Sequence, residues 1–290
     1  MKQLEGVFLT LLAAVLWGTV GISVKYLMLH SHLSAENIAF MRLMLAAPML
    51  MLFSLRFQKP VGPFPLVGVL LLGLGHAVYC YGYFRAIPLT GISIAVTVSL
   101  CLPPLLLAFY SALVLREKLH LNLWGAIFLG VVGLGLVTQV SHGHLNLQGL
   151  MLSGLAGIGF LLTLKGSQLI LGWQPQTPLL ALGFLAGGIF LLPYAPDLHQ
   201  LRQLAAVEWG HLLYLALIPS ALAYILFQRG LKTISSLTAG LITLFEPLVS
   251  MVLAVLLFSE VLLPLQWLGV ACVSLMLLLL TRKNSVQNST

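Results

Sequence analysis

The chain is a succession of apolar runs, each about 20 residues long and almost free of ionisable side chains, and this pattern restricts the fold more than any other feature. As a helix, a run of that length crosses the ~30 Å hydrocarbon core of a bilayer. Barrel strands would alternate apolar and polar residues, whereas continuous apolar runs satisfy their own backbone groups only as helix. Charged residues are 7% of the 290 positions, against roughly 25% in a soluble domain. That leaves no room for a separate soluble domain. The net charge of +7 forms no basic cluster, which argues against nucleic acid as a partner. Lys and Arg lie between the runs instead, where they set orientation. Cys80, Cys101 and Cys272 sit inside apolar runs without CxxC spacing and read as core or lipid-facing thiols.

Ten spans are expected, at 6–29, 36–55, 64–85, 91–115, 121–139, 147–170, 178–195, 208–228, 236–259 and 264–281. The first is too long for a signal-peptide core and lacks a small-x-small cleavage site. With the N-terminus inside, Lys2, Arg56, Lys59, Arg116, Lys118, Arg229, Lys232, Arg282 and Lys283 all fall on the cytoplasmic side. The outer loops hold only Arg202, with Arg85 at a helix end. Both termini are therefore expected in the cytoplasm and the protein in the cytoplasmic (inner) membrane.

The chain also repeats itself. A shift of 143 residues places Gly6 on Gly149, Tyr81 on Tyr224, Phe84 on Phe227, Thr90 on Thr233, Ser93 on Ser236, Pro104 on Pro247, Glu117 on Glu260 and Trp124 on Trp267, without a gap. Matched leucines would mean nothing here; matched Pro, Glu, Trp and Tyr do. Residues 1–143 and 144–290 are read as two five-span repeats, and an odd number of spans inverts the second copy in the membrane. Inverted repeats are the architecture of many secondary transporters, in which two related halves exchange conformations around a central site.

Leu16-Trp17-Gly18 followed by Lys25, and Arg42 in the second span, resemble the opening helices of EamA-type members of the drug/metabolite transporter superfamily. So do Thr90 and Ser93, or Thr233 and Ser236, followed by Pro, then Glu thirteen residues on, then Trp, and so does Tyr224 through Leu231. The resemblance covers essentially the whole chain and both repeats. It implies a ten-helix fold and movement of small metabolites, with amino acids and related compounds prominent. Phe160 and the double proline Pro103-Pro104 depart from the pattern.

Several residues stand out as candidate site residues. Pro103, Pro104 and Pro247 lack an N–H and free carbonyls of the preceding turn, which inside a membrane need protein or a wet cavity beside them. Thr97, Ser99, Thr243 and Glu246 would suit such a cavity; a kink that only shapes packing is the alternative. Glu246 is the one acidic residue deep inside a span, where a carboxylate costs about 3 kcal/mol. It is read as binding a cationic or amino group, relaying a proton, or donating a structural hydrogen bond. Lys25 and Arg42 are candidates to pair with a substrate carboxylate or with Glu36, while Lys165 has the position of a snorkelling lysine. His76, Tyr79 and Tyr83 share one helical face, fit for a partly apolar substrate or for an interfacial belt. Trp17 and Tyr224 join them as substrate-binding candidates, with Gln228 a weaker one. Glu117 and Glu260 end equivalent helices at opposite faces, which points to a shared contact or gate. Gly183 and Gly187 form a GxxxG, a close-packing signal. His142 and His144 lack a third ligand, so no metal site is expected.

The leading expectation is a secondary transporter of small organic metabolites working by alternating access, an exporter of amino acids or related compounds. Its partners would be a small-molecule substrate and the lipid bilayer, with protons as a candidate coupling ion and a monomer or homodimer both acceptable. No catalytic residues and no cofactor are expected: the chain has no GxxxxGK[ST], HExxH or GxSxG, and no pair of intramembrane carboxylates. An intramembrane enzyme and a non-transporting membrane scaffold are the rival classes.

Overall fold

The computed structural model describes residues 2–53, 63–113, 121–137, 146–170, 176–231, 233–234, 242 and 245–287. Side chains are described within those ranges except at 2, 103–113, 121–124, 126, 127, 134, 137, 231, 273 and 277–287. The helices are α1 (Lys2–Gly18), α2 (Val20–His30), α3 (Ala35–Phe53), α4 (Leu66–Thr90), α5 (Ile92–Leu113), α6 (Leu121–Val137) and α7 (Leu147–Ile170). They continue as α8 (Gln176–Phe190), α9 (Leu198–Gln203), α10 (Ala206–Ala216), α11 (Ala223–Leu231), α12 (Phe245–Phe258) and α13 (Pro264–Gln287). No strand occurs among the described residues, so this is an all-α polytopic membrane protein. Among the described residues, five stretches are long and apolar enough to cross a membrane by length and composition: Gln3–His30, Ala35–Phe53, Leu66–Thr90, Leu147–Ile170 and Ala206–Gly230. Shorter apolar helices lie at Ile92–Leu102, Gln176–Phe190, Phe245–Phe258 and Pro264–Met276.

Small residues decide which helices meet. In lipid no hydrophobic force pulls helices together, so close backbone packing must do it. Gly68, Gly75 and Gly82 of α4 recur every seven residues and face Gly166, Gly159 and Leu152 of the antiparallel α7. A Cβ on Gly75 would lie 2.7 Å from the Gly159 carbonyl oxygen, and one on Gly82 would lie 2.5 Å from that of Leu152. Gly183 and Gly187 bring α8 against α4 as the GxxxG predicts, with the Gly73 carbonyl oxygen 2.8 Å from a Cβ on Gly187. α1 packs on α11 and α12, α7 packs on α4 and α5, and α6 packs on α13.

One contact occurs twice. Gly6 of α1 abuts Thr233, and Gly149 of α7 abuts Thr90, whose Cγ2 would be 2.5 Å from a glycine Cβ. The 143-residue shift carries one pair onto the other. Large apolar side chains such as Phe8, Phe128, Met151 and Leu256 are left exposed. Around a membrane bundle that surface meets acyl chains, so the exposed residues are not a liability as they would be in water.

Candidate functional site

Two irregularities in otherwise apolar helices build the centre. Pro219 has no N–H, so the Leu215 carbonyl loses its usual donor. The helix widens into a π turn over Leu217–Leu222, and the Ser220 hydroxyl donates to Leu215 O at 2.7 Å. Turns of this kind are frequent at functional sites. The same Ser220 oxygen accepts from Arg42 Nε at 2.9 Å. The guanidinium also lies 3.8 Å from Cys80 Sγ through Nη1 and 5.7 Å from the Phe84 ring centroid. Arg42 is only 4% exposed. Among the described residues no carboxylate lies within ion-pair distance of it. The sequence offered Glu36, or a substrate carboxylate, as the partner of Arg42. Glu36 instead pairs with Arg85, Nε to Oε1 at 3.2 Å, because both sit at helix ends.

The second irregularity separates α1 from α2 at Gly18-Thr19. The Ser250 hydroxyl donates to Gly18 O at 2.8 Å, and Thr19 Oγ1 donates to Leu16 O at 2.6 Å. Carbonyls that would be orphaned at membrane depth are thereby satisfied. The absence of a side chain on Gly18 lets α1 approach α12, since a Cβ there would sit 3.0 Å from Glu246 O. Glu246 lies in the first turn of α12, just before Pro247, and is half-buried. It forms no ion pair with Arg42.

Aromatic rings cluster beside both irregularities. Trp17 meets Tyr224 edge-on, with centroids 5.2 Å apart, and also touches Phe227. Among the described residues the buried Trp17 Nε1 meets no hydrogen-bond partner. His76 Nδ1–H donates to Leu72 O at 2.9 Å. In the neutral imidazole Nε2 therefore accepts from Tyr224 Oη, also at 2.9 Å. Phe184 packs against both His76 and Tyr224. Tyr79 lies 5.7 Å from Tyr83 and 6.2 Å from Phe160. Tyr83 is buried, with its hydroxyl against Gly21 of α2, so it faces the interior rather than an interfacial belt. Tyr81 points elsewhere, accepting from Arg85 Nη1 at 2.8 Å.

A third arrangement closes one end of the bundle. Glu260, in the turn after α12, receives Lys25 Nζ at 2.9 Å. It also accepts from the Ile92 N–H at 2.9 Å and from Ser93 Oγ at 2.9 Å. One carboxylate thus joins α2, the start of α5 and the α12–α13 turn, across 168 and 235 residues of sequence. A carboxylate at the first turn of α5 also meets the positive end of the helix dipole. Gly91 makes this possible: its φ is +82°, and a Cβ there would sit 3.1 Å from Glu260 Oε1. Lys25 Nζ lies over the Phe258 ring at 4.6 Å. Burial alone would raise the Glu260 pKa, but the Ile92 N–H, Lys25 and Ser93 together hold it below its ordinary value.

The remaining candidates separate. Thr97 Oγ1 donates to Ser93 O at 2.8 Å, and Ser99 Oγ donates to Ala95 O at 2.7 Å and to Ser153 O at 3.2 Å. Both hydroxyls are engaged by backbone. Gln228 is half-buried in α11. The backbone of α5 runs helically through Pro103 and Pro104, whose side chains, like Thr243, Ser236 and Glu117, lie outside the described residues. Sequence reasoning missed Ser220, although a proline followed by serine inside an apolar run was a usable signal.

Apolar helices of spanning length, packed around a centre that holds a buried arginine and several aromatic rings, define a polytopic membrane protein. The chain belongs to the EamA-like transporter family, whose sequence model matches residues 4–139 and again 147–282. It is 28% identical to the uncharacterized transporter YwfM of Bacillus subtilis over 272 residues, covering 93% of this chain and 92% of the relative. It is 24% identical over 285 residues to the uncharacterized inner membrane transporter YicL of Salmonella typhimurium, covering 91% of each. A solved crystal structure shares the fold, with a TM-score of 0.61 at 16% identity over 95% of this chain and 97% of the other. The protein is a membrane transporter.

Proposed function

We propose that the protein is a secondary transporter that exports amino acids or related small metabolites across the cytoplasmic membrane by alternating access. The observation that carries this reading is the centre itself: the buried Arg42 of the first half, held at Ser220 and beside the Phe84 ring, with the half-buried Glu246 of the second half at Gly18, next to the Trp17–Tyr224–His76 aromatic group. A membrane interior keeps such groups at a cost of about 3 kcal/mol for each charge, and the usual reason is a solute path. The second half is the first half inverted, with both termini in the cytoplasm; the asymmetric placement of Lys and Arg and the doubled glycine–threonine contact support that arrangement. In this orientation the Lys25–Glu260 contact lies at the outer face and acts as a gate between the halves.

Protons are the candidate coupling ion, with Glu246 as the group that carries them. The test is uptake of labelled amino acids into proteoliposomes with and without a pH gradient, wild type against Glu246→Gln. Saturable uptake stimulated by the gradient is expected for the wild type, and loss of the stimulation for the variant. Uptake independent of the gradient in the wild type would remove proton coupling. Absence of any saturable uptake of amino acids would remove that substrate class.

A further inference from the structure

We propose that Arg42 and Glu246 hold the two ends of one zwitterionic solute, Arg42 its carboxylate and Glu246 its ammonium. The inference rests on the transporter reading and assigns the chemistry of recognition at the same centre.

Arg42 and Glu246 do not pair with each other. Arg42 is buried and held by neutral groups alone, the Ser220 hydroxyl and the Cys80 sulfur. Among the described residues, one of its five N–H groups makes a short hydrogen bond to an oxygen. A guanidinium is a planar fork that matches a carboxylate with two parallel bonds, and the fork is not used by any carboxylate of the described chain.

Glu246 borders the same aromatic group. Its backbone meets Gly18, next to Trp17; Trp17 packs on Tyr224; Tyr224 lies one turn beyond Ser220, which holds Arg42. Both residues border this aromatic group, and no ion pair joins them. A solute carrying a carboxylate at one end and an ammonium at the other supplies both missing counter-charges at once. A plain amine or a plain carboxylic acid supplies one and leaves the opposite charge of the protein unpaired, the situation that gives strong discrimination in polar sites. Because Arg42 lies in the first half and Glu246 in the second, a single zwitterion also bridges the halves, and its two ends report on both.

Equilibrium binding of three radiolabelled compounds to the purified full chain tests this: leucine, its decarboxylated counterpart 3-methylbutylamine, and its deaminated counterpart 4-methylpentanoate. The wild type is expected to bind leucine at least ~10-fold more tightly than either analogue. In Arg42→Gln the preference for leucine over the amine falls to about unity, while in Glu246→Gln the preference over 4-methylpentanoate does so. Arg42→Lys, which keeps the charge without the fork, is expected to fall between wild type and Arg42→Gln. The wild-type comparison stands even where a variant fails to fold. Equal affinity for leucine and the amine, a preference that survives Arg42→Gln, or no binding of any of the three would overturn the proposal. Proteoliposome flux separates this from the wider reading: transport of leucine and the amine alike sinks the charge assignment alone, whereas absence of any solute flux sinks the transporter reading.

Discussion

Gly159→Leu is expected to abolish recovery of folded, monodisperse protein, and Gly159→Ala to lower its melting temperature markedly. A Cβ at this position would lie 2.8 Å from Gly75 O and 2.9 Å from Tyr79 Cα, with the Tyr79 N–H nearer still. These are backbone atoms, so no side-chain rotation relieves the contact, and α4 and α7 must separate. Separation there loosens the neighbouring contacts at Gly68/Gly166 and Gly82/Leu152, because all three lie on one seam. Overpacking a close interface costs about 1–3 kcal/mol for a single methyl group and more for leucine. The control is Gly210→Ala in α10, where an added Cβ meets nothing within 4 Å. That change should be neutral or slightly stabilising, since alanine favours a helix by up to ~1 kcal/mol over glycine. Thermal unfolding in detergent, followed by loss of monodispersity, separates the two. Equal behaviour of Gly159→Ala and Gly210→Ala would contradict the packing account.

The second large effect is expected at the Glu260 contact. Glu260→Ala leaves Lys25 Nζ, the Ile92 N–H and the Ser93 hydroxyl without their acceptor. Breaking a buried pair from one side costs about 3–5 kcal/mol. The Lys25 and Glu260 side chains remain 24% and 15% exposed, so solvent screening reduces this to about 2 kcal/mol, or ~30-fold in an equilibrium. A cysteine introduced as Val96→Cys, one turn inside Ser93 and buried, reports the opening through its rate of reaction with an impermeant maleimide. The rate should rise by ~10-fold or more in Glu260→Ala, less in Glu260→Gln, and least in Lys25→Met, where the carboxylate keeps Ile92 and Ser93. Acid should act like the mutation. The Glu260 pKa is lowered in the folded protein, so the stabilisation is complete above the ordinary carboxylate value near ~4.3 and is lost as pH falls through the lowered value. Labelling that accelerates on acidification in the wild type but not in Glu260→Gln is the expected pattern. Unchanged labelling in all three variants would show that this contact is not a closure.

Hydropathy and charge spacing located the helices because a bilayer fixes span length and leaves backbone groups no partner but their own helix. What they did not locate are the places where a helix deviates locally. The Gly18-Thr19 break and the π turn at Pro219 depend on hydroxyls of Ser250 and Ser220 reaching freed carbonyls, and the first comes from another helix. Partner choice was equally hidden. Glu36, Arg85, Lys25, Glu260 and Arg42 were all visible as charges, yet Glu36 goes to Arg85 and Glu260 goes to Lys25 and the start of α5. Those pairings join residues as far as 235 positions apart, and only the packing of α2 and α5 on α12, and of α3 on α4, brings the segments together. The grouping of His76, Tyr79 and Tyr83 was legible because a single helix face carries them. Tyr224 and Trp17 could be named as aromatic candidates, but not as neighbours.

The central claim is that the two halves expose the Arg42–Glu246 centre alternately, with the Glu260 end closing one side. Leucine exchange in proteoliposomes, measured for Lys25→Cys/Glu260→Cys before and after bridging by a short bis-maleimide, tests it most directly; Cys272→Ser removes the half-buried native thiol. The account predicts exchange by the unbridged protein and its arrest once the bridge forms, with single-cysteine controls unaffected by the reagent. Exchange at the same rate in bridged and unbridged protein, or no exchange in either, would contradict it.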